Sequence, residues 1–216
     1  MNSIYAFKTE GIIQIGETVP GWQPVNAIYP GAPKFIDVNG DKVLDSKDIV
    51  RYDASPNITI GFGNSLSFKH FDLGIMFYSQ FGAWGYNNLV TWATPANFIA
   101  GNQSGIKELA DVWSTTNTAG TLPGVGYDAS ALGLAAGVNT TLEKTDFIRC
   151  RNITLGYNFN LTKIFKSLKL YVDAQNPFII TNYKIADPEV EAGAVKGGAA
   201  PYPMAVTYSI GIKAGF

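Results

Sequence analysis

Acidic and amide side chains between residues 37 and 48 have the spacing of a calcium-binding loop. Oxygen donors at alternate positions suit Ca²⁺, and the main-chain carbonyl of Val43 would add one more. Lys42 stands where such a loop needs glycine for its sharp turn, and Asp48 replaces the longer glutamate. Two alternatives therefore stay open, a calcium site or an Asx-rich turn held by its own side chains. The candidate ligands are Asp37, Asn39, Asp41, Val43, Asp45 and Asp48.

Four aromatic side chains lie in or beside a long segment in the middle of the chain. Their flat faces could stack on sugar rings, which would make them substrate contacts. Packing within a loop explains the same residues and is the favoured interpretation. The four are Trp84, Tyr86, Trp92 and Trp113.

The residues that carry most enzyme chemistry are scarce. Cys150 is the only cysteine, which excludes an internal disulfide and a thiolate metal cluster. His70 is the only histidine and falls in a predicted hairpin turn, where we expect a solvated turn residue and not a catalytic base. The formal net charge of −1 offers no basic field for nucleic acid. We therefore predict neither an enzyme nor a nucleic-acid-binding protein.

The elements that must position these residues are strands, because apolar residues recur at every second position. In the stretch 58–68, Ile58, Ile60 and Phe62 share one face while Thr59 and Gly61 share the other. Similar alternation covers 71–81, 147–159, 168–180 and 206–216, and 4–15 is a weaker candidate.

These strands match the 9 to 11 residues that cross a bilayer at a tilt. Long connections at 17–57, 82–146 and 182–205 alternate with short ones at 69–70 and 161–167. Membrane barrels show this alternation between external loops and periplasmic turns. We predict an all-β fold: an antiparallel transmembrane β-barrel segment of about six long strands, not a closed barrel, with long external loops and one short loop helix at 104–114. The alternative is a soluble β-sandwich.

The final strand carries a pattern that resembles the signal by which outer-membrane barrels are recognised and inserted. Alternate positions back from the terminal aromatic residue are apolar, and a closing strand has an unpaired edge that insertion machinery could read. The predicted assembly signal comprises Tyr208, Ile210, Ile212, Ala214 and Phe216.

Several segments together resemble one family. They are 33–41 (Pro-Lys-Phe-Ile-Asp-Val-Asn-Gly-Asp), 147–157 (Phe-Ile-Arg-Cys-Arg-Asn-Ile-Thr-Leu-Gly-Tyr), 172–178 (Val-Asp-Ala-Gln-Asn-Pro-Phe) and 183–190 (Tyr-Lys-Ile-Ala-Asp-Pro-Glu-Val). In kind and order they resemble the carboxy-terminal region of SusC/RagA-type TonB-linked outer-membrane transporters. Lys42 departs from the glycine that this family usually has.

The resemblance implies an importer of glycans or peptides, with a plugged barrel of roughly 22 strands in the outer membrane of a Gram-negative bacterium. It implies a SusD-like surface lipoprotein, the TonB complex, the barrel-assembly machinery and outer-membrane lipid as partners. Residues 1–216 would be the carboxy-terminal part of the barrel domain, and no signal peptide, TonB box or plug is found in them. No cofactor is required, apart from the Ca²⁺ considered at 37–48. The competing hypotheses are a siderophore or cobalamin receptor and a secreted, calcium-stabilised carbohydrate-binding module.

Overall fold

A computed structural model describes residues 3–86, 107–124, 137–160, 166–183, 187–191 and 204–215. The chain divides into two compact units. The loop unit comprises mainly Met1–Ala54 and Trp84–Glu143, and the barrel unit comprises Ser55–Ala83, Lys144–Ala194 and Pro201–Phe216.

Twelve strands occur in the described residues, together with short helices. The strands are β1 Ser3–Phe7, β2 Thr9–Ile12, β3 Pro33–Phe35, β4 Ile49–Asp53, β5 Ile58–Phe68, β6 Phe71–Phe81, β7 Trp84–Tyr86, β8 Gly137–Val138, β9 Leu142–Lys144, β10 Phe147–Phe159, β11 Ser167–Thr181 and β12 Thr207–Gly215. The 3-10 helices are Val25–Ala27, Ser46–Asp48, Lys107–Asp111 and Asn139–Thr141, and Pro188–Glu191 is a single α-helical turn. None of the described helices is long and apolar enough to cross a membrane.

The barrel unit is built on one open, antiparallel sheet with the strand order β12-β11-β10-β6-β5. Strands β5 and β6 have 11 residues each and β11 has 15, long enough to cross a bilayer at a tilt. The β5–β6 hairpin closes with the pair Phe68–Phe71, and Lys69 takes a left-handed φ of 54° in the tight turn. The predicted fold class, an open antiparallel barrel segment, is confirmed.

The strand register aligns side chains of one kind across the whole sheet. One row runs through Leu66, Leu73, Leu155, Val172 and Ile210, which stand opposite one another in successive strands. The next row towards the external ends consists of Ser65, Gly74, Thr154, Asp173 and Ser209, on the opposite face. Because successive residues of a strand point to opposite faces, the sheet has one apolar and one polar side.

The loop unit has its own hydrophobic core. A three-stranded sheet has the order β4-β1-β8, and two strand pairs, β2–β3 and β7–β9, complete the strands of this region. Phe7, Ile13 and Phe35 are buried in one cluster, where the rings of Phe7 and Phe35 meet edge to face at 6.3 Å. Ile4 and Leu142 belong to a second cluster. Burial of these side chains holds residues distant in the sequence together.

The weakest strand prediction, 4–15, is wrong in its position. This segment forms β1 and β2 in the loop unit, so the long sheet has five strands in the described residues instead of about six. Its alternation fails where the consecutive residues Ile12 and Ile13 are both buried, and Gly11 takes a φ of 68° at the irregularity where the register between β2 and β3 shifts. The short helix predicted at 104–114 is present as Lys107–Asp111, and residues 104–106 lie outside the described residues.

Candidate functional site

The polar face of the barrel sheet is held by a carboxylate that joins four strands. Oδ2 of Asp72 on β6 accepts hydrogen bonds from Asn158 Nδ2 on β10 at 2.6 Å and from Lys169 Nζ on β11 at 2.7 Å. Its Oδ1 accepts a hydrogen bond from Ser67 Oγ on β5 at 2.8 Å. The positive charge of Lys169 is therefore paired with Asp72 of the same sheet. This network lies near the end of the sheet that carries the short β5–β6 turn.

A second carboxylate stands at the middle of the same face. Asp173 Oδ1 accepts hydrogen bonds from Asn152 Nδ2 at 2.5 Å and from Thr154 Oγ1 at 2.6 Å. Hydroxyl, amide and glycine residues occupy most other positions of this face, including Ser65, Gly74 and Ser209. Such a surface suits the watery interior of a membrane barrel.

A β-bulge interrupts the pairing of β10 at Arg151. The register shifts between Cys150 and Asn152, where the opposite strand carries Asn176 and Pro177. Asn176 takes a left-handed φ of 50°, which asparagine tolerates better than most residues, and its side chain lies 3.5 Å from the Ala205 carbonyl oxygen. Bulges bend a strand and re-aim its side chains.

Two arginines beside the bulge pair with two acids, and we call Arg149, Arg151, Asp187 and Glu189 the arginine clamp. The Arg149 side chain is only 3% exposed and donates a hydrogen bond to Asp187, and its Nε lies 2.8 Å from Glu189 Oε2. Arg151 donates to Glu189, and its guanidinium carbon lies 4.8 Å from the centroid of the Tyr78 ring. Buried charges of this kind are stable only when they are paired, as they are here.

Asp187 connects the two ends of the segment between β11 and β12. Besides Arg149, its carboxylate accepts hydrogen bonds from the backbone N–H groups of Glu189 at 3.1 Å and Met204 at 3.2 Å. The buried carboxylate thus holds residue 187 and residue 204 together at the start of the final strand. Arg149 attaches both to β10.

The opposite face of the sheet is apolar and exposed. Tyr208, Ile210 and Ile212 on β12 are 76%, 74% and 72% exposed, and Ala214 is exposed as well. Four residues of the predicted assembly signal therefore form one outward row on a strand at the edge of the sheet. Phe216, the fifth, lies outside the described residues. Large exposed apolar side chains in aligned rows are typical of a surface that faces lipid.

The loop at residues 37–48 is held by hydrogen bonds from its own backbone. The Asp37 carboxylate accepts them from the N–H groups of Gly40 and Lys42, both at 2.7 Å, and Asp48 accepts them from Val38 and Asp45 at 2.8 and 2.9 Å. Lys42 adopts a left-handed φ of 65° where a calcium loop would place glycine.

A lysine side chain forms ion pairs with two of the acidic residues in this loop. Lys47 Nζ lies 3.4 Å from Asp41 and 3.5 Å from Asp45. Hydrogen bonds from the Asn39 side chain and from the Val43 backbone lower the pKa of Asp41. Within the described residues, no three His, Cys, Asp or Glu side chains are grouped to hold a metal ion. The candidate ligand oxygens do not fit Ca²⁺ in this arrangement, and the geometry favours the Asx-rich turn over the calcium site.

The aromatic candidates that the structure describes are packed against protein. Trp113 is 7% exposed, donates a hydrogen bond from Nε1 to Gln14 Oε1 at 3.0 Å, and covers Gly31, where a Cβ would lie 2.7 Å from the indole ring. Trp84 meets Tyr52 edge to face at 5.2 Å, and Tyr86 packs on the same cluster. Packing therefore accounts for Trp84, Tyr86 and Trp113. Trp92 lies outside the described residues.

The single histidine and the single cysteine both occupy structural positions. His70 lies in the β5–β6 turn, where its carbonyl accepts a hydrogen bond from the Asn158 backbone at 2.8 Å and its ring lies 5.6 Å from that of Tyr157. Cys150 is fully buried in β10.

Comparison with known proteins identifies the relatives of this chain. It is 32% identical over 192 residues to the TonB-dependent receptor SusC of Bacteroides thetaiotaomicron, covering 84% of this chain and 17% of that receptor. It is 26% identical over 197 residues to the TonB-dependent receptor P3 of Formosa agariphila, covering 88% of the chain and 18% of the receptor. The solved RagAB peptide transporter matches with a TM-score of 0.69 and 22% identity, over 99% of this chain and 23% of its own. No protein-family model matches.

The aligned apolar and polar faces define a segment of a transmembrane β-barrel, the class of protein predicted from strand length and alternation. The chain belongs to the SusC/RagA type of TonB-dependent outer-membrane receptors and spans less than a fifth of the length of the two curated relatives. The family resemblance seen in the sequence is confirmed. Because these relatives are receptors and transporters, the prediction that the chain is not an enzyme is confirmed too.

The arginine clamp is a feature that the sequence alone does not predict. All four residues lie in segments that carry the family resemblance, but the resemblance implies no role for them. A signal was present, because Arg149 and Arg151 interrupt an apolar strand that otherwise carries neutral residues. The pairing acids lie 38 positions away in the sequence, so only the fold could identify them.

Proposed function

We propose that the full-length protein carrying this chain is a TonB-linked importer of nutrients in the outer membrane of a Gram-negative bacterium. This chain would supply five strands of the barrel wall and the external connections between them. The observation that carries the proposal is the pair of aligned rows, apolar through Leu66 to Ile210 and polar through Ser65 to Ser209, which suits a wall between lipid and an aqueous interior.

Glycans are the proposed substrate. On the inner wall, Arg149 and Arg151 are paired with acids of the segment between β11 and β12, and Lys169 is paired with Asp72 of the wall itself. Lys213 adds one further cation to this face, and most of the remaining positions carry hydroxyl, amide or glycine residues. An uncharged, hydroxyl-rich ligand can exchange hydrogen bonds with such a wall without displacing a buried counter-charge. Peptides are the second candidate, because the related RagAB structure is that of a peptide importer.

A growth experiment distinguishes the two substrates. The host strain with the gene deleted in frame is supplied with neutral oligosaccharides or with peptides as the sole carbon source, and the wild-type gene is restored as a control. We expect the deletion to impair growth on at least one oligosaccharide and to leave growth on peptides unchanged. Impaired growth on peptides alone would identify the second candidate, and unimpaired growth on both would contradict the import function.

The proposed partners are a SusD-like surface lipoprotein and the TonB complex, the latter through a part of the protein that precedes this chain. The SusC and RagAB relatives support the lipoprotein. Affinity purification of the tagged full-length protein from detergent-solubilised membranes should recover one abundant lipoprotein in a fixed ratio. Purification of the protein alone would exclude a stable pair.

The final strand is the proposed signal for the barrel-assembly machinery. Its exposed row of Tyr208, Ile210, Ile212 and Ala214 on an edge strand supports this role. Deletion of Phe216 from the full-length protein should lower its amount in the outer membrane, whereas Lys213→Gln, a change on the other face of the strand, should not. Equal amounts of both variants would contradict the signal.

Calcium binding at residues 37–48 and sugar stacking on Trp92 are each tested by a separate experiment. Calcium binding at residues 37–48 would appear as a saturable heat of titration that Asp41→Ala abolishes, although the hydrogen-bonded turn leads us to expect no such signal. Stacking of a sugar ring on Trp92 would appear as weaker glycan uptake in Trp92→Ala, with normal amounts of protein in the membrane. Normal uptake would leave packing as its role.

A further inference from the structure

The apolar face of the barrel sheet carries an open groove, and two of its lining residues, Tyr208 and Ile210, also belong to the proposed assembly signal. It has a volume of about 440 Å³ and lies over β10, β11 and β12. Six of its lining residues belong to the apolar rows of the sheet: Ile153, Leu155, Val172, Ala174, Tyr208 and Ile210.

The groove exists because the middle strand carries smaller side chains than its neighbours. Ala174 stands opposite Ile153 on β10 and opposite Tyr208 on β12. One row closer to the short turns, Val172 stands between Leu155 and Ile210. The floor is therefore lower than both walls over two successive rows, and the groove is one strand wide.

The exposed apolar surface next to the groove indicates which medium the groove faces. Tyr208 and Ile210 are among the most exposed apolar side chains in the part of the chain that the structure describes, and the same outward face continues to Ile212 on β12. An apolar surface of this extent is stable only against hydrocarbon or another protein. Because the outward face of a membrane barrel contacts lipid, the groove is continuous with the lipid interface.

Its chemistry selects the part of a lipid that would fit. The two other lining residues are Asp173 and Ser209, whose side chains belong to the polar row on the opposite face, where Asp173 binds Asn152 and Thr154. Ala174 lies at the centre of β11, away from both ends of the strand, where headgroups would be found. A narrow apolar groove at this depth accepts a hydrocarbon chain and excludes a polar headgroup.

We propose that this groove is a binding site for one acyl chain of a bilayer lipid. The chain lies along β11, on Ala174 and Val172, between the side-chain walls of β10 and β12. The site depends on the position of the sheet in the membrane and not on the substrate that the protein imports. A glycan importer and a peptide importer would both keep it.

Native mass spectrometry of the full-length protein, extracted from its own outer membrane with a mild detergent, tests the site. The wild-type protein should retain one bilayer lipid per barrel. Ala174→Phe, which fills the floor, should lose it, whereas Ile60→Phe, a substitution on the apolar face of β5 away from the groove, should retain it. Resistance of each folded barrel to unfolding in cold detergent, followed by gel mobility, shows whether the variant has assembled.

Each other result contradicts the site. A wild-type protein without bound lipid, or equal retention by Ala174→Phe and wild type, would exclude it. The mass of the retained molecule identifies its source, and a lipopeptide from a partner protein would replace the bilayer lipid as the occupant and overturn the proposal. If Ala174→Phe does not assemble, Ala174→Leu makes the same comparison with a smaller side chain.

Discussion

Removal of the Asp187 carboxylate should release both ends of the segment between β11 and β12. The Asp187 side chain is 6% exposed, its partner Arg149 is 3% exposed, and two backbone N–H groups donate to the same carboxylate. Removing one partner of a buried ion pair costs about 3–5 kcal/mol when the remaining charge is left unpaired. Arg149 keeps Glu189 Oε2 at 2.8 Å from its Nε, so we expect a loss at the lower end of this range, about 3 kcal/mol. Asp187→Asn keeps the shape of the side chain and removes its charge.

Amide hydrogen exchange measures this loss directly. The Met204 and Glu189 amides donate to Asp187, so their exchange reports on local opening of the clamp. A loss of about 3 kcal/mol corresponds to exchange roughly 10²-fold faster, at tenfold for every 1.4 kcal/mol. The experiment uses the full-length protein in detergent or lipid.

A surface pair provides the matched control. Arg51 and Asp53 form an ion pair whose side chains are 48% and 45% exposed. Exposed pairs contribute about 0–1 kcal/mol, so Asp53→Asn should change exchange in its own strand less than about tenfold. If Asp187→Asn accelerates exchange at Met204 no more than the control does in its strand, the clamp does not hold the segment and the reasoning is refuted.

Three further outcomes follow from other contacts. Asp72→Asn weakens the charge-assisted hydrogen bonds that join four strands, and should lower the temperature at which the barrel unfolds in detergent; an unchanged temperature would exclude this role. Gly31→Ala should destabilise the loop unit by about 1–3 kcal/mol in chemical unfolding followed by tryptophan fluorescence, because the new Cβ meets Trp113 at a φ of 96°, whereas Gly21→Ala meets open space. The pKa of Asp41 is lower in the folded turn than its ordinary value of 3.8. The ionised carboxylate therefore stabilises the turn above pH 3.8, and this stabilisation is lost as the pH falls through the lowered pKa of the folded turn. Asp41→Asn should therefore reduce the acid-side loss of turn structure seen by NMR, and equal loss in both proteins would contradict it.

The long strands could be predicted because their evidence is local. Alternation in 58–68 and 71–81 corresponds to β5 and β6 with the same bounds, since a wall between lipid and water needs opposite side-chain types at successive positions. The prediction for segment 4–15 is wrong because local alternation was its only evidence and that alternation is weak. Burial of Ile4, Ala6 and Phe7 in the loop unit, which is a tertiary effect, decides where this segment lies.

The amino-acid sequence by itself determined the class of this protein, its polar and apolar faces, and the residues through which it resembles its relatives. Those properties depend on neighbouring positions, which a single strand displays without its partners. Tertiary structure alone decided that Arg149 meets Asp187, that Trp113 is covered by protein, and that Ala174 lies below Ile153 and Tyr208. The physical reason is register: which side chains meet across strands is set by hydrogen-bond pairing between distant segments, and no local pattern specifies that pairing.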